Sequence, residues 1–272
     1  MSELISVILP VYNQAEYLAS ALDSVLHQDY SPFELIVVND GSTDGTADIL
    51  EEYHRRHDFR LIHQENRGLP RALNRGFAEA QGTYLTWTSS DNIARPHMLS
   101  TLAAALDRHP DVGLVYADWD VIDASGQVTA RVQSIEYDRY TLFLNNYVNA
   151  CFLYRRVCLD TVGDYDDSLR GGEDWDYWLR ISRYYRLLHV PESLYLYREH
   201  SQSLTANAEA LVAERKMASY AVLEAAWRRR EPLTWWVAKI RWNVQRRLLQ
   251  QMPGIKREPV DLDLTLDKSG AG

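Results

Sequence analysis

Four short polar clusters carry the side chains of this sequence that could do chemistry. They are Asn39-Asp40-Gly41-Ser42-Thr43-Asp44, Ser89-Ser90-Asp91-Asn92, Glu173-Asp174 and Glu199-His200. Several carboxylates that face one cleft repel each other unless a cation lies between them. Mg²⁺ and Mn²⁺ prefer oxygen ligands and are commonly bound by a few carboxylates together with substrate phosphates. The clusters therefore predict a site for a divalent metal and a nucleotide diphosphate, provided that the fold brings them together.

An alternation of strand and helix patterns places the first two clusters at strand ends. Residues 5–11 are a nearly continuous apolar run, which is typical of a strand buried on both faces. Further strands are predicted at residues 33–38, 59–63 and 83–88, and helices at residues 17–26, 46–56 and 70–80. This order predicts an α/β fold with a mostly parallel, doubly wound sheet. Such sheets bind ligands at the carboxyl ends of their strands, where Asp40 and Asp91 lie.

The second half of the chain is less regular. Strands are predicted at residues 112–119 and 150–155, and a strand pair at residues 187–190 and 194–198. A predicted helix begins at Glu173 with acidic residues in its first turn, where the helix dipole favours negative charge. We expect a catalytic domain over residues 1–205, a helical extension over residues 206–252 and a disordered tail over residues 253–272.

The charge distribution disfavours nucleic acid as a partner. Residues 1–205 contain 17 Arg and no Lys against 30 Asp and Glu, and the net charge of the whole chain is −9. The extension, residues 206–252, is basic, with 9 Arg and Lys against 4 Glu, and it contains several tryptophans. Two interpretations of it are open: an anchor on anionic lipid, or packing on the catalytic domain or on a second subunit.

Several classes of protein are disfavoured by what the sequence lacks. Two cysteines, Cys151 and Cys158, do not make a disulfide framework or a Cys-rich zinc site. Neither a P-loop nor a dinucleotide-binding glycine motif is present. The chain begins without a signal-peptide pattern, and no apolar run reaches the roughly 18 residues of a membrane-spanning helix. We expect a cytoplasmic protein, with at most peripheral contact at the inner face of the membrane.

Six motifs, in this order and spacing, resemble those of family 2 glycosyltransferases with a GT-A fold. They are Pro10-Val11-Tyr12-Asn13, Val38-Asn39-Asp40-Gly41-Ser42-Thr43-Asp44, Asn66-Arg67-Gly68 with Ala72-Leu73-Asn74-Arg75-Gly76, Ser89-Ser90-Asp91-Asn92, Gly172-Glu173-Asp174-Trp175-Asp176 and Tyr197-Arg198-Glu199-His200. The resemblance covers residues 4–205. It implies transfer of a sugar from a nucleotide diphosphate sugar with inversion at the anomeric carbon.

The resemblance assigns Asp91 and His200 to the metal and the diphosphate. Asp91 belongs to the Asp-x-Asp-like motif, but serines stand at positions 89 and 90, and Asn92 occupies a position where a further Asp is frequent. A Mn²⁺ or Mg²⁺ ion would therefore be held mostly by the diphosphate. The alternatives are that Asp91 only caps a helix and that His200 is structural.

The resemblance also makes Asp174 the general base, with Glu173 as its neighbouring alternative. The base must lie on the face opposite the leaving diphosphate, and a helix N-terminus would keep Asp174 ionised. The alternative is that Glu173 and Asp174 have no catalytic role and only stabilise the start of the helix. Trp175 is expected to contact the sugar acceptor, because aromatic faces pack on sugar C–H groups, whereas Trp178 suits the core equally well.

The residues implied in nucleotide binding come from several of these motifs and the helix beside them. They are Val11, Asn13, Asp40, Arg71 and Ser90. Asp40 would accept a hydrogen bond from the base, usually uracil, unless it is only a turn or capping residue. Arg71 would reach the diphosphate or lie on a solvated helix face. Asp44 is expected to cap the next helix rather than to contact a ligand.

The sequence thus predicts an inverting, hexosyltransferase-type enzyme that uses a UDP-sugar, a divalent metal and a glycan or lipid-linked acceptor. One alternative, a sugar-phosphate nucleotidyltransferase, would need a Gly-rich N-terminal loop with a following Lys or Arg, and residues 10–13 do not provide it. The other is an inactive module that binds nucleotide or glycan. The serines at positions 89 and 90 favour this module, whereas Glu173-Asp174 and His200 disfavour it.

Overall fold

The computed structural model of the protein describes residues 2–142, 145–169, 171–201 and 256–259. The strands are Ile5–Val11 (β1), Phe33–Asp40 (β2), Arg60–Gln64 (β3), Tyr84–Trp87 (β4), Ile93–Ala94 (β5), Val112–Ile122 (β6), Val128–Gln133 (β7), Phe152–Arg155 (β8), Arg186–Arg198 (β9) and Lys256–Pro259 (β10). The helices are Leu18–Leu26 (α1), Thr46–His54 (α2), Leu69–Glu79 (α3), Met98–Arg108 (α4), Arg139–Leu142 (α5), Arg156–Val162 (α6) and Glu173–Ile181 (α7).

The ten described strands form one sheet, in which β10-β7-β6-β8-β4-β1-β2-β3 is the main order. β9 lies along β6, and β5 pairs with β9. β1 is parallel to both β2 and β4, and β2 is parallel to β3, as the β-α-β-α pattern predicts. Beyond β4 the sheet is mixed, because β8 is antiparallel to β4 and β6 whereas β9 is parallel to β6.

Helices cover both faces of the sheet, which confirms the doubly wound α/β arrangement. Every residue of β1 is buried. Ile5, Val7 and Leu9 share one apolar cluster with α1, α2 and α4, whereas Ile8 belongs to a second cluster with α3 and α7. Successive side chains of a strand point to opposite faces. The continuous apolar run of β1 therefore supplies both clusters at once.

One strand, β9, replaces the strand pair that the sequence predicts over residues 187–198. Val190 pairs with Ala117 of β6 and Ser193 pairs with Asp118, so Pro191 and Glu192 lie outside the ladder. Pro191 has no N–H to donate to a ladder, and a bulge absorbs both residues without ending the strand. The predicted strand pair is therefore wrong, because β9 continues through the bulge as one strand.

The short strand β10 pairs antiparallel with β7. It lies in the tail that the sequence predicts to be disordered. At this edge of the sheet, the backbone N–H and C=O groups of β7 provide hydrogen-bond partners for it. Sequence patterns do not reveal such a pairing. The predicted helical extension and the rest of the tail lie outside the described residues. No helix of the described ranges is long and apolar enough to cross a bilayer.

Candidate active site

The loop that carries Asp91 is held from the end of β4 by hydrogen bonds to β1 and β9. Thr88 N donates to Ile8 O at 2.9 Å, which extends the β1–β4 ladder by one residue. The hydroxyl of the buried Tyr195 in β9 bonds Thr88 Oγ1 at 2.6 Å and accepts from Ser89 N at 3.3 Å. The backbone therefore leaves the sheet at a fixed point, directly before Asp91.

Arg198, to which sequence reasoning assigned no role, fixes the backbone around Asp91. Its Nε donates to Asp91 O at 2.9 Å, and its own N–H donates to Asn92 Oδ1 at 2.8 Å. Its guanidinium lies over the ring of Tyr17, 4.7 Å from the centroid. The signal for Arg198 was its place in the Tyr-Arg-Glu-His motif. Asn92, where the family often has Asp, serves here to hold the end of β9.

Asp91 and His200 are brought together by this arrangement. His200 Nε2 lies 3.2 Å from Asp91 Oδ2, and the exposed fractions of the two side chains are 4% and 16%. A carboxylate oxygen suits Mg²⁺ or Mn²⁺, and an imidazole nitrogen is a common ligand of divalent transition metals. Among the described residues, no group of three or more His, Cys, Asp or Glu could hold a metal. The pair therefore fits an ion that takes its other ligands from a diphosphate and water.

The ends of β1 and β2 are joined by hydrogen bonds around Asn13, which has a left-handed backbone with φ of 52°. Asn13 N donates to Ser42 Oγ at 3.0 Å, and Asn13 Oδ1 accepts from Thr43 N at 2.7 Å. Asp44 Oδ1 accepts from Thr46 N at 2.9 Å, whereas the N-cap position of α2 is occupied by Gly45 rather than by Asp44 as predicted. Burial raises the pKa of Asp44, but hydrogen bonds from Thr46 and Ala15 outweigh that effect and lower it.

Asp40, the residue predicted to bind the base, is buried at the end of β2 and holds the loop after β3. Its Oδ1 accepts from Gln64 Nε2 at 2.6 Å and from Arg67 N at 2.9 Å, and its Oδ2 accepts from Gly68 N at 2.8 Å. Each carboxylate oxygen has two acceptor sites. A nucleobase N–H would therefore have to use the lone pair that remains on Oδ2, and the contact with the base stays a prediction.

The other predicted nucleotide residues lie in different surroundings. Val11 and Ser90 are both buried, with exposed fractions of 2% and 6%. Arg71 Nε lies 2.8 Å from Asp167 Oδ2 in a half-exposed ion pair. Surface ion pairs contribute little to stability. The guanidinium of Arg71 can therefore leave Asp167 and turn toward another partner at little cost. The nucleotide contacts of these residues remain predictions.

Helix α7, which begins with Glu173 and Asp174, packs beside the end of β4. Trp87 Nε1 donates to Tyr165 OH at 3.1 Å, and the ring of Tyr165 stacks on Tyr177 of α7 with centroids 3.9 Å apart. Gly172 precedes the helix in a left-handed conformation with φ of 76°, which glycine adopts at low cost. The two acids therefore start a helix that is packed against the strand leading to Asp91.

Glu173 and Asp174 differ in their hydrogen bonds. Burial, together with the neighbouring Asp174, raises the pKa of Glu173 to about 7. Burial also raises the pKa of Asp174, but hydrogen bonds from Asn146 Nδ2 at 2.8 Å and Trp175 N at 2.7 Å oppose that rise. A negative charge on Asp174 disfavours a second negative charge on its neighbour Glu173. Asp174 therefore has two hydrogen-bond donors that favour its ionised form, and one of them, Asn146, comes from outside the helix.

The remaining residues of the Glu-Asp-Trp-Asp run are engaged in the core. Asp176 is fully buried, and its Oδ2 lies 2.8 Å from Arg180 Nε. Trp175 is 9% exposed and donates from Nε1 to Leu142 O at 2.6 Å, whereas Trp178 is fully buried. Trp178 is thus a core residue. Trp175 leaves little surface for an acceptor, and its contact with one stays a prediction.

Comparison with known proteins places these features in a family. Residues 6–163 match the family model described as Glycosyl transferase family 2. Over 217 residues the chain is 32% identical to the uncharacterised glycosyltransferase RP339 of Rickettsia prowazekii, which covers 76% of this chain and 67% of that protein. Over 221 residues it is 29% identical to glycosyltransferase GlyG of Streptococcus pneumoniae serotype 4, covering 75% and 73% of the two chains.

Two solved structures have the same fold. S. aureus TarS 1–349 in complex with UDP-GlcNAc superposes with a TM-score of 0.61 at 22% identity, covering 80% of this chain and 66% of TarS. The mannosyltransferase PcManGT from Pyrobaculum calidifontis, in complex with GDP-Man and Mn²⁺, has a TM-score of 0.59 at 19% identity, with coverages of 93% and 82%. The chain therefore belongs to glycosyl transferase family 2 and has the GT-A fold that its motifs predict.

Proposed function

We propose that this protein is an inverting glycosyltransferase that moves a sugar from a UDP-sugar to a hydroxyl of a glycan or lipid-linked acceptor. The observation that carries the proposal is the 3.2 Å contact between Asp91 Oδ2 and His200 Nε2. It lies at the carboxyl end of β4, beside the ends of β1 and β2, where open α/β sheets bind their ligands. TarS and PcManGT, which share the fold, were solved with UDP-GlcNAc and with GDP-Man and Mn²⁺, which supports a nucleotide sugar as donor.

Asp91 and His200 would hold a divalent ion together with the diphosphate of the donor. Such an ion neutralises the diphosphate and makes it a better leaving group. Asp40 would accept a hydrogen bond from the base, and Asn13 and Val11 would lie beside the base and the ribose. Ser90 and Arg71 would lie toward the phosphates, with Arg71 leaving its surface ion pair with Asp167.

Asp174 would act as the general base for the acceptor. As the acceptor hydroxyl oxygen attacks the anomeric carbon, its proton passes to a carboxylate oxygen of Asp174, and the carbon–oxygen bond to the diphosphate breaks with its electron pair. The ionised state that this step needs is supported by the hydrogen bonds from Asn146 and Trp175. Contact of residues 206–252 with anionic lipid or a second subunit stays a prediction from their charge.

A thermal-shift panel tests the donor site. UDP, GDP, dTDP and CDP are each added with and without Mn²⁺, because a ligand that binds only the native state raises the melting temperature. UDP is expected to give the largest shift, and the shift is expected to need Mn²⁺ and to vanish in Asp91→Ala. The matched control is Asp58→Ala, at an exposed position away from the site. Absence of any nucleotide shift in the folded protein would contradict the proposal.

Turnover of UDP-sugars tests the catalytic role of Asp174. Release of UDP from UDP-GlcNAc and UDP-glucose is measured for the wild type, for Asp174→Asn and for the control Asp160→Asn, which lies at an exposed position on α6. We expect a loss of about 10²–10⁴-fold only in Asp174→Asn, the range of general-base catalysis. Nucleotide binding without turnover in the wild type would instead favour an inactive nucleotide-binding module.

A further inference from the structure

We infer that Asn146 is a positioning residue for Asp174, an inference that rests on the proposed function. Asn146 Nδ2 lies 2.8 Å from Asp174 Oδ2. An ionised carboxylate only accepts hydrogen bonds, so the amide N–H of Asn146 must be the donor. Such a bond to a charged group is stronger than one between neutral groups. Asn146 therefore favours the form of Asp174 that can take a proton.

Two donors from different parts of the fold fix the orientation of the Asp174 carboxylate. Oδ1 accepts from Trp175 N at 2.7 Å, within α7, and Oδ2 accepts from Asn146 in the segment between α5 and β8. With one donor on each oxygen, the carboxylate cannot rotate without breaking a bond. Each oxygen keeps a further lone pair for the acceptor proton. The geometry therefore orients the carboxylate before the acceptor arrives.

The backbone beside Asn146 is anchored in the core. Asn146 Oδ1 accepts from Asn149 N at 3.4 Å. The next residue, Tyr147, is fully buried, and its carbonyl accepts from Ser134 Oγ at 2.5 Å. Ser134 N in turn donates to Asp118 Oδ1 in β6 at 2.8 Å. A side chain held in this way can place its amide within the narrow tolerance that a catalytic group needs.

This anchor reaches the neighbouring strand β9 as well. Asp118 Oδ1, besides accepting from Ser134 N, bonds His189 Nε2 at 2.7 Å, and both side chains are almost completely buried. The pair thus joins β6 and β9 to the segment that carries Asn146. The position of Asn146 therefore depends on the core of the sheet rather than on the loop alone.

The electrostatic surroundings of Asp174 make the contribution of Asn146 measurable. Two titratable groups interact with Asp174: Glu173 is its neighbour in α7, and Tyr165 stacks on that helix. Burial raises the pKa of Asp174, and the hydrogen bond from Asn146 acts in the opposite direction. Loss of Asn146 should therefore raise the pKa of Asp174 and leave less carboxylate at a given pH.

A ¹³C NMR titration of selectively labelled aspartate carboxyls tests this inference in the full chain, without any need for activity. Asp174→Asn identifies the resonance of Asp174. In Asn146→Ala we expect the pKa of Asp174 to rise by about one unit, the size expected for a lost hydrogen bond to a charged group. Asn145→Ala, a change at the adjacent exposed position, is expected to leave this pKa unchanged. An unchanged pKa of Asp174 in Asn146→Ala would overturn the inference.

Asn146→Asp is a second variant that keeps the size of the side chain. It places a like charge where the donor was, so the pKa of Asp174 should rise further than in Asn146→Ala. The melting temperatures of both variants are measured first, and the titration of whichever variant keeps the native fold decides the inference. A pKa of Asp174 that falls or stays constant in that variant would again contradict it.

Kinetics connect the contact with catalysis. In Asn146→Ala we expect the acidic limb of the pH profile of kcat for UDP release to shift upward by about one pH unit. At pH values on that limb, kcat should therefore fall about tenfold, and KM for the donor should be unchanged. Adding Asn146→Ala to Asp174→Asn should cause no further loss. A fully active Asp174→Asn would overturn the proposed base and with it this role. An inactive Asp174→Asn, with an unaltered pH profile in Asn146→Ala, would overturn the role of Asn146 alone.

Discussion

His200 Nε2 contacts Asp91 Oδ2 at 3.2 Å, although the two residues are 109 positions apart in the chain. The contact exists because β5 pairs with β9 and because Arg198 bonds both Asp91 O and Asn92 Oδ1. These hydrogen bonds bring the ends of β4 and β9 together before any ligand binds. The two proposed metal ligands are therefore held in place by the sheet.

Replacing His200 with Ala should weaken the Mn²⁺-dependent binding of UDP. Asp91 would then be the one side chain of the pair left to bind the ion, and we expect the Kd for UDP with Mn²⁺ to rise roughly tenfold or more. Isothermal titration calorimetry with and without Mn²⁺ measures this change. The control is His27→Ala, because His27 is exposed and its ring forms a hydrogen bond with Asp23 O of α1. Equal Kd values for the variant and the wild type would exclude the proposed role of His200.

Replacing Asp176 with Ala should lower stability rather than activity. The variant leaves Arg180 buried without the carboxylate 2.8 Å away, and breaking a buried ion pair in this way costs about 3–5 kcal/mol. Urea denaturation measures the free energy of unfolding, and Asp160→Ala at an exposed position should change it by less than about 0.5 kcal/mol. If Asp176→Ala were stable but inactive, Asp176 would have a catalytic role rather than the structural role assigned to it.

Replacing Glu173 with Gln should change how stability depends on pH. The pKa of Glu173 rises from 4.5 to about 7 on folding, because burial and Asp174 disfavour its charged form. Between these pH values the native state binds more protons than the unfolded chain, so this group lowers stability as the pH rises and adds no further change above pH 7. As the pH rises through this range, the free energy of unfolding of Glu173→Gln should increase relative to that of the wild type by at most about 3 kcal/mol.

Chemical denaturation at about pH 5 and about pH 8 measures that difference. Glu65→Gln, at an exposed position, serves as the control and should show no such pH-dependent gain. If the stability of Glu173→Gln relative to the wild type were the same at both pH values, the pKa of Glu173 would not be raised on folding.

Replacing Gly76 with Ala should destabilise the protein although alanine is the better helix former. A Cβ at this position of α3 would overlap Ile8 Cγ2 of β1, and overpacking costs about 1–3 kcal/mol against a gain of about 1 kcal/mol in helix propensity. Gly45→Ala is the matched control, because the nearest atom to its Cβ would be Ala15 Cβ at 3.8 Å. Thermal unfolding compares the two, and a melting temperature of Gly76→Ala at or above that of the wild type would contradict close packing of α3 on β1.

The amino-acid sequence by itself determined the strands and helices of the first half and the family. Continuous apolar runs such as residues 5–11 can only be buried on both faces, and they set the strands whose ends carry Asp40 and Asp91. The order of six motifs identified the family, which the match over residues 6–163 confirmed. These features are local, because periodicity and turn residues act over a few neighbouring positions.

Only the tertiary structure decided which polar side chains meet. Asn146 lies 28 residues before Asp174 in a segment without a recognisable motif, and Asp176 differs from Asp174 by its buried contact with Arg180 rather than by its residue type. The sequence likewise predicted a strand pair where β9 runs on past a bulge to the residue two positions before His200. Contacts of this kind depend on the packing of distant segments around a shared core, and no pattern of neighbouring residues encodes that packing.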